Sequence, residues 1–371
     1  MRIATLNFHK AYNYGAVFQA AALQQAIQSF GDECSVLDYS NAAVESQYNL
    51  KKIRPNKKIF SALKNNIVLL PFIEKKKQNF QNWFSQYNKT EVLEKNDLQS
   101  LNERFDKFIV GSDQVWNMKC HGADTAFLLD FVHEDKKKIA YAVSFGTYDI
   151  PPEYVQTFRT ELVKFSDISV REERGIELTE MLTTIKPVVT MDPVLLMGTA
   201  YWEKRSVQSN NIKSKYVLAY QIGRSKKVSS FAKKVAKMTG TRIVFVATHI
   251  DGIAQYGIGN INQSDASPES FLSLLINAEY VVTNSFHATA LSLLFHKTFY
   301  AVADGGKEKT YNSRIYNLLE RYSLQDRIKE QYDCAAVPES PDFTCFDSNY
   351  AKDRDNSLKY LYESIHGEER S

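Results

Sequence analysis

The sequence has few cysteines, and no two of them lie close enough to form a metal-binding or redox motif. Its 371 residues include four, at Cys34, Cys120, Cys334 and Cys345. Without CxxC spacing, neither a zinc site nor a disulfide framework is expected, and reduced thiols in the cytosol fit better.

Long hydrophobic runs and a strong charge of one sign are also absent. No run of about 18 apolar residues occurs, which predicts no membrane-spanning helix. The opening residues, MRIATLNFHKAYNYG, lack the apolar core of a signal peptide, so we expect a cytoplasmic protein. A formal net charge of +3 is too small to predict a nucleic-acid partner.

Several catalytic motifs are missing as well. The sequence contains no GxSxG nucleophile elbow and no GxxxxGK[ST] phosphate loop, and its glycines do not form the GxGxxG of a dinucleotide site. No histidine or carboxylate pair has the spacing of metal ligands. We therefore expect neither a metal nor a cofactor.

What the sequence does contain is an alternation of strand-like and helix-like segments. The strand candidates are RIATLNF at the start, 34–39, 107–111, 139–146, 168–170, 187–191, 216–222, 242–247, 280–283 and 299–302. The helix candidates are 16–30, 152–165, 172–183, 226–239, 268–277 and 312–322. This order predicts an α/β fold with mainly parallel sheets and crossover helices.

Length and composition predict two domains. A polar stretch near residues 195–214 follows the last strand of the first half and marks the seam. We predict a first domain over residues 1–200 and a second over residues 201–348. Tyrosines and leucines at helical spacing in 349–371 predict a helix that packs back across the domains.

One region, an insertion at about residues 50–90, departs from the alternation. Within it, residues 51–77 hold nine Lys and Arg against one acid, Glu74. One interpretation is a solvated helical insertion. The other is a basic amphipathic patch that makes peripheral contact with an anionic membrane, which matters if the substrate is carried on a lipid.

The first candidate ligand loop is NFHKAYNYGAVF, after the first strand. Ligands of parallel sheets collect at the carboxyl ends of the strands. Gly15 would let the backbone approach a ligand, and Asn13 and Tyr14 precede it. The alternative is that Asn13 caps the following helix and Gly15 serves a turn.

The second candidate is VGSDQVWN, residues 110–117. Asp113 could act as a general base or bind hydroxyls, with Gln114 beside it. The alternative is that Asp113 stabilises a turn or caps a helix. We expect Trp116 to have a structural role.

The third candidate is Arg171, in SVREERG. A cation at a helix start is disfavoured by the helix dipole, so it needs an anionic partner. That partner is either a ligand carboxylate or phosphate gripped by the guanidinium, or a neighbouring acid such as Asp192.

The fourth candidate is TNSFHATALSLLFH, residues 283–296, read together with the downstream segment NSRIYNLLERYSL. His287 follows a buried strand, where ligands are expected. His296 lies near the far end of its helix, and we expect it to have a structural role. Arg314 lies in the first turn of another helix.

Together these segments resemble the polysaccharide pyruvyl transferase family. The carriers of the resemblance are FHKAYNYGAVFQAAAL, FIVGSDQVWN, AYAVSFG, SVREERG, MDPVLL, AEYVVTNSFHATALSLLFHKTF and NSRIYNLLERYSL. They run in this order from the first strand to about residue 325.

The resemblance implies two Rossmann-like domains that face each other across a cleft, the GT-B arrangement. It implies transfer of a pyruvyl group from phosphoenolpyruvate, a co-substrate, to a saccharide acceptor of a surface polysaccharide or its lipid-linked precursor. The product is a pyruvate ketal, and phosphate is released. A nucleotide-sugar glycosyltransferase and a non-catalytic saccharide-binding protein are the alternatives.

Site residues follow from the resemblance. His287 aligns with the donor-site histidine and takes an acid or a phosphate-holding role, and Arg171 aligns with a donor-binding arginine. Asn284 and Ser285 are assigned to the donor side. Asp113 is the expected base on the acceptor side. A set of loop residues is assigned either to the acceptor side or to a cleft loop: Asn13, Tyr14, Gly15 and Gln114.

The sequence departs from the family at two positions. Many members have Arg-Leu-His where this chain has Ser285-Phe286-His287. We expect Arg314 to supply the charge that Ser285 lacks. The second departure is Ala16, where an aspartate is frequent.

Overall fold

The described part of the chain forms two parallel sheets surrounded by helices. A computed structural model describes residues 1–47, 59–207, 212–223, 225–248, 256, 259–303, 313–330 and 338–367. The side chains of 46–47 and 59–70 lie outside this description.

The first sheet has seven strands in the order β3-β2-β1-β4-β5-β6-β7, all paired in parallel. Its strands are β1 (Arg2–Leu6), β2 (Glu33–Tyr39), β3 (Lys89–Leu93), β4 (Lys107–Val110), β5 (Lys138–Val143), β6 (Asp167–Val170) and β7 (Val188–Val189).

The second sheet has six strands in the order β10-β9-β8-β11-β12-β13, again all parallel. Its strands are β8 (Tyr216–Gln221), β9 (Arg242–Ala247), β10 (Ile261–Asn262), β11 (Tyr280–Thr283), β12 (Thr298–Val302) and β13 (Ile328–Lys329). In both sheets the strand order reverses beside the first strand, β1 in one and β8 in the other. Doubly wound sheets bind ligands at this point.

Twelve α-helices are present among the described residues. They are α1 (Tyr14–Ser29), α2 (Ala42–Gln47), α3 (Ile59–Phe84), α4 (Pro152–Leu162), α5 (Glu173–Glu180), α6 (Pro193–Leu196), α7 (Thr199–Arg205), α8 (Lys226–Thr239), α9 (Pro268–Ile276), α10 (Phe286–Leu294), α11 (Ser313–Arg321) and α12 (Thr344–His366). Short 3-10 helices lie at 95–103, 125–128, 135–137 and 325–327.

One hydrophobic core runs between the two sheets. The Tyr14 ring, at the start of α1, stacks on Phe271 of α9 with centroids 4.2 Å apart. Its hydroxyl donates a hydrogen bond to the Ala266 carbonyl at 2.8 Å. Tyr14 follows the first strand of the first sheet, whereas Ala266 and Phe271 lie between two strands of the second sheet. This packing therefore fixes the start of α1 against the second half of the chain.

Helix α12 returns to the first half of the chain. Tyr350 donates to the Leu195 carbonyl at 2.8 Å, and Arg354 donates to the Leu196 carbonyl at 2.6 Å. The Met191 amide donates to the Ser357 hydroxyl at 3.0 Å. The first two bonds give hydrogen-bond donors to the last carbonyl groups of α6. The third places α12 beside the end of β7.

The basic segment is only partly described. Residues 51–58, and the side chains up to 70, lie outside the description. In the described part, residues 71–77 are helical, with Pro71, Glu74 and Lys75 exposed and Ile73 and Lys76 buried, and Phe80 and Trp83 continue the buried face. Their spacing gives α3 one apolar face that packs on the start of α1.

Among the described residues, no helix combines the length and apolar character needed to cross a bilayer.

Candidate functional site

Polar residues follow three neighbouring strands of the first sheet. Asp113 follows β4, Ser144 follows β5, and Arg171 follows β6. Since the carboxyl ends of parallel strands share one edge, these side chains are brought together at that edge. The edge faces α10 of the second half.

Arg171 is buried at the centre of this group. It donates to Asp192 Oδ2 at 2.8 Å and to Asp113 Oδ1 at 3.1 Å, and it lies over the Phe286 ring, 4.4 Å from the centroid. Burial alone would lower its pKa, but Asp113 and Asp192 raise the pKa above its ordinary value. The ion pair to Asp192, one of the two partners considered from the sequence, is present.

The two aspartates are held as carboxylates. Burial favours their neutral forms, but the pKa of Asp113 is lowered by Arg171, His287 and Arg314. The pKa of Asp192 lies well below its usual range because His287 and Arg171 outweigh the cost of burial. Asp113 has a φ of 70°, a left-handed conformation that aspartate tolerates better than most residues.

The second sheet contributes the start of α10. Ser285 is its N-cap, and its side chain accepts from the Ala288 amide at 3.4 Å. Asn284 joins this turn to the end of β8, since its amide exchanges two hydrogen bonds with the Ile222 backbone at 2.8 and 3.0 Å. Both residues therefore hold the helix start in place, and their assignment to the donor side stays a prediction.

His287, in the first turn of α10, lies between the two halves of the chain. Its Nε2 atom is 3.4 Å from Asp192 Oδ2. A Cβ atom added to Gly15 would overlap three atoms of the His287 side chain, all within 2.8 Å. The ring is thus clamped between α1 and Asp192, and the absence of a side chain at Gly15 makes room for it.

His296 has a different environment. It lies beyond the end of α10, where its Nε2 is 2.9 Å from Asp347 Oδ1 and its ring is 4.5 Å from that of Phe343. It contacts the start of α12 rather than the cluster around Arg171.

Arg314, from the first turn of α11, completes the cluster. Its Nη1 atom lies 3.4 Å from Asp113 Oδ1, the oxygen that also binds Arg171. With its amide oxygen facing Arg314, Gln114 accepts hydrogen bonds of 3.1 and 3.2 Å from the guanidinium. Burial and the neighbouring Arg171 lower the pKa of Arg314. The structure thus brings a second arginine to Arg171, and its role as a substitute for Ser285 stays a prediction.

The first loop has mainly structural contacts. Asn13 caps α1 by accepting from the Gly15 amide at 3.0 Å, as the capping alternative predicts. Tyr14 is buried between the sheets. Trp116 is also buried, packed among Phe145, Phe158 and Phe165, in agreement with its structural interpretation.

Two further acids belong to the site. Glu172 was not proposed from the sequence, and Asp192 was considered only as a possible partner of Arg171. Glu172 is buried and accepts from the Ser144 hydroxyl at 2.5 Å. Burial raises its pKa, although Arg171 and Arg314 oppose the shift. An acid at a helix start is ordinary, so only its position next to Arg171 could have indicated it.

A cavity of about 600 Å³ adjoins the cluster. Its lining includes Arg171, Glu172, Asp192 and Arg314, together with residues of β7, α11 and α12. Neither His287 nor Asp113 is among the lining residues. Cationic and acidic groups therefore meet a space large enough for a drug-sized ligand.

Among the described residues, no group of three or more His, Cys, Asp or Glu side chains is arranged to hold a metal ion.

Solved structures of GT-B glycosyltransferases and epimerases are similar to this chain. One is a protein of Listeria monocytogenes assigned as a UDP-N-acetylglucosamine 2-epimerase, with a TM-score of 0.53 and 10% identity, over 100% of this chain and 98% of that chain. Another is a glycosyltransferase involved in avilamycin A biosynthesis, with a TM-score of 0.51 and 11% identity, over 99% of both chains. At these identities the likeness shows the fold alone, and it confirms the fold predicted from the sequence.

Comparison with curated proteins gives no match. The sequence profile of one family, described as polysaccharide pyruvyl transferase, matches residues 13–305. This range includes Gly15, Asp113, Arg171 and His287, and it covers most of the chain. The protein therefore belongs to the polysaccharide pyruvyl transferase family and is a transferase.

Proposed function

We propose that this protein transfers a pyruvyl group from phosphoenolpyruvate to two hydroxyls of a saccharide, forming a ketal and releasing phosphate. The acceptor is a sugar of a surface polysaccharide or of its lipid-linked precursor. The observation that supports this most directly is a pair of arginines, the buried Arg171 and the partly buried Arg314, on the wall of a cavity in a member of this family.

The donor has two anionic groups and needs more than one positive site. Arg171 and Arg314 each keep an Nε–H group without a hydrogen-bond partner among the described residues, and such a group can donate a charge-assisted hydrogen bond to a carboxylate or phosphate. Asp113 and Asp192 orient Arg171, and the same oxygen of Asp113 also lies 3.4 Å from Arg314. The amides at the start of α10 add a partial positive charge, and the acid or phosphate-holding role of His287, in that first turn, stays a prediction.

The acceptor occupies the part of the cavity formed by α11 and α12. Asn356 lines this part, is exposed, and its side-chain amide makes no hydrogen bond to the described residues. A free amide can donate to and accept from sugar hydroxyls. If the sugar is lipid-linked, the basic segment 51–77 is our proposed contact with the inner face of the membrane.

Two measurements test the donor. Thermal unfolding is followed with phosphoenolpyruvate, UDP-sugars and GDP-sugars, and phosphate release is followed with candidate acceptors. We expect stabilisation by phosphoenolpyruvate and acceptor-dependent phosphate release. Stabilisation by a nucleotide sugar instead would indicate a glycosyltransferase, and glycan binding without phosphate release would indicate a non-catalytic protein.

The two parts of the cavity predict different kinetic effects. Replacing Arg314 with glutamine removes one charge-assisted grip, so KM for phosphoenolpyruvate should rise by about 10- to 100-fold. Replacing Asn356 with alanine should raise KM for the acceptor and leave that for phosphoenolpyruvate unchanged. Steady-state kinetics with each substrate varied in turn checks both, and circular dichroism verifies folding. An unchanged KM for phosphoenolpyruvate in R314Q would contradict the donor assignment.

A further inference from the structure

Glu172 is the buried acid of the cavity wall that makes the fewest contacts with cations. Its Oε1 atom accepts from Ser144 at 2.5 Å. Its Oε2 atom makes no hydrogen bond to the described residues and lies 3.8 Å from Arg171 Nε. The side chain is 6% exposed, so one carboxyl oxygen is left without a hydrogen bond in a buried position. Such an atom usually indicates a missing partner.

The charged groups around Glu172 are Arg171, Arg314 and Asp113. The two arginines favour its ionised form, whereas Asp113 and burial favour the protonated form. Burial is the largest effect, and the pKa of Glu172 is raised. Both arginines also bind Asp113, which reduces their effect on Glu172. The side chain can therefore carry a proton into the cavity.

No other acid of the cluster has this combination of features. Asp113 and Asp192 are ion-paired carboxylates with lowered pKa values. His287 is enclosed between Gly15 and Asp192, and it does not line the cavity. A proton delivered to a ligand between the arginines has to come from a group that reaches the cavity.

We infer that Glu172 is the acid that protonates the methylene carbon of the donor, and that it recovers a proton from the acceptor. The inference rests on the proposed function. The O–H bond of Glu172 breaks as the double bond of the donor supplies the electron pair of a new C–H bond, which leaves C2 electrophilic. An acceptor hydroxyl adds to C2 and gives its proton to the Glu172 carboxylate.

The second half of the reaction restores the balance. The C2–O bond to phosphate breaks, the second hydroxyl adds to C2, and its proton leaves with the phosphate. One hydroxyl proton thus ends on the methyl group by way of Glu172, and the other ends on phosphate. No oxidant, reductant or further co-reactant is required.

The test compares Glu172→Gln with Glu173→Gln, because Glu173 is an exposed neighbour on the same cavity. General acid–base catalysis contributes about 10²- to 10⁴-fold, so E172Q should lose kcat by that factor. It should still be stabilised by phosphoenolpyruvate, because glutamine preserves the shape and does not add a negative charge beside the arginines. E173Q should keep its turnover within about threefold of wild type, as expected of an exposed site.

The pH profile provides a readout that a structural role would not give. A proton donor works below its pKa, so kcat/KM of the wild type should fall as pH rises through the raised pKa of Glu172. Glu172→Asp should retain part of the activity with this limb shifted. An E172Q variant with wild-type turnover, or one that loses donor binding and kcat together, would overturn the inference.

The two proposals fail in different ways. A wild-type protein that neither binds phosphoenolpyruvate nor releases phosphate overturns the proposed function, and the role of Glu172 with it. A wild-type protein that does both, beside an equally active E172Q, overturns the role of Glu172 alone.

Discussion

Replacing Arg171 with alanine is expected to abolish phosphate release and to lower the free energy of unfolding by about 3–5 kcal/mol. The reason is that Arg171 is the shared partner of Asp113 and Asp192, at 3.1 and 2.8 Å. Its removal leaves two buried carboxylates, of which Asp113 keeps His287 and Arg314 nearby and Asp192 keeps only His287 among the groups that lower its pKa. The variant also loses one of the two arginines proposed to bind the donor.

The loss of stability should depend on pH. In the wild type, the lowered pKa values of Asp113 and Asp192 stabilise the fold above their unfolded values, near 3.9, and that contribution is lost as pH falls through the folded values. Without Arg171, burial shifts both pKa values upward, so the variant becomes less stable as pH rises. Urea unfolding at about pH 5 and about pH 8 should give the larger difference at the higher pH.

Arg174 provides the control for this experiment. It lies three residues on, with its side chain 22% exposed, and pairs with the exposed Asp149 at 2.9 Å. Replacing it with alanine should change the free energy of unfolding by no more than about 1 kcal/mol. An R171A protein as stable as R174A would show that the buried aspartates do not depend on Arg171.

Replacing Gly15 with alanine is the second large change. The added methyl group would overlap the His287 ring, so the ring or the start of α1 has to move. Overpacking of this kind costs about 1–3 kcal/mol. Displacement of a positioned group by about 1 Å can reduce turnover by about 100-fold. We expect both losses in thermal unfolding and in phosphate release.

A double variant separates the clash from other effects. In H287A, the ring that meets the new methyl group is gone, so adding G15A should cost little further stability. The coupling between the two substitutions should be about 1 kcal/mol or more. Gly198→Ala is the control, because a Cβ there meets nothing within 4 Å. Additive losses in the cycle would mean that Gly15 serves α1 rather than His287.

The sheets were predictable because their strands are buried on both faces. Segments such as Arg242–Ala247 and Tyr280–Thr283 are short runs of β-branched and apolar residues, and the structure has them at the predicted positions. The missed strands carry less of this signal. Lys89–Leu93 exposes three of its five side chains, and Ile328–Lys329 has only two residues.

The site was predictable as a set of loops but not as a set of contacts. The ends of buried strands indicated Asp113 and Arg171 on the first sheet and His287 on the second, since ligands collect at the carboxyl ends of parallel strands. The contact between Gly15 and His287 joins distant segments, and a single sequence has no signal for it. A single sequence also has no signal for the ion pairs that Asp113 forms with both Arg171 and Arg314.

The position of α12 in the cavity wall affects when, during its own synthesis, the protein becomes able to bind its substrate. Asp353, Asn356, Ser357 and Tyr360 of α12 form part of that wall, yet a ribosome makes this helix after both sheets. A nascent chain can therefore pair the strands of both sheets while the cavity still lacks the wall that α12 provides. We expect competence for the substrate to arise late and abruptly, when α12 docks on α6, rather than in proportion to the length of chain already folded.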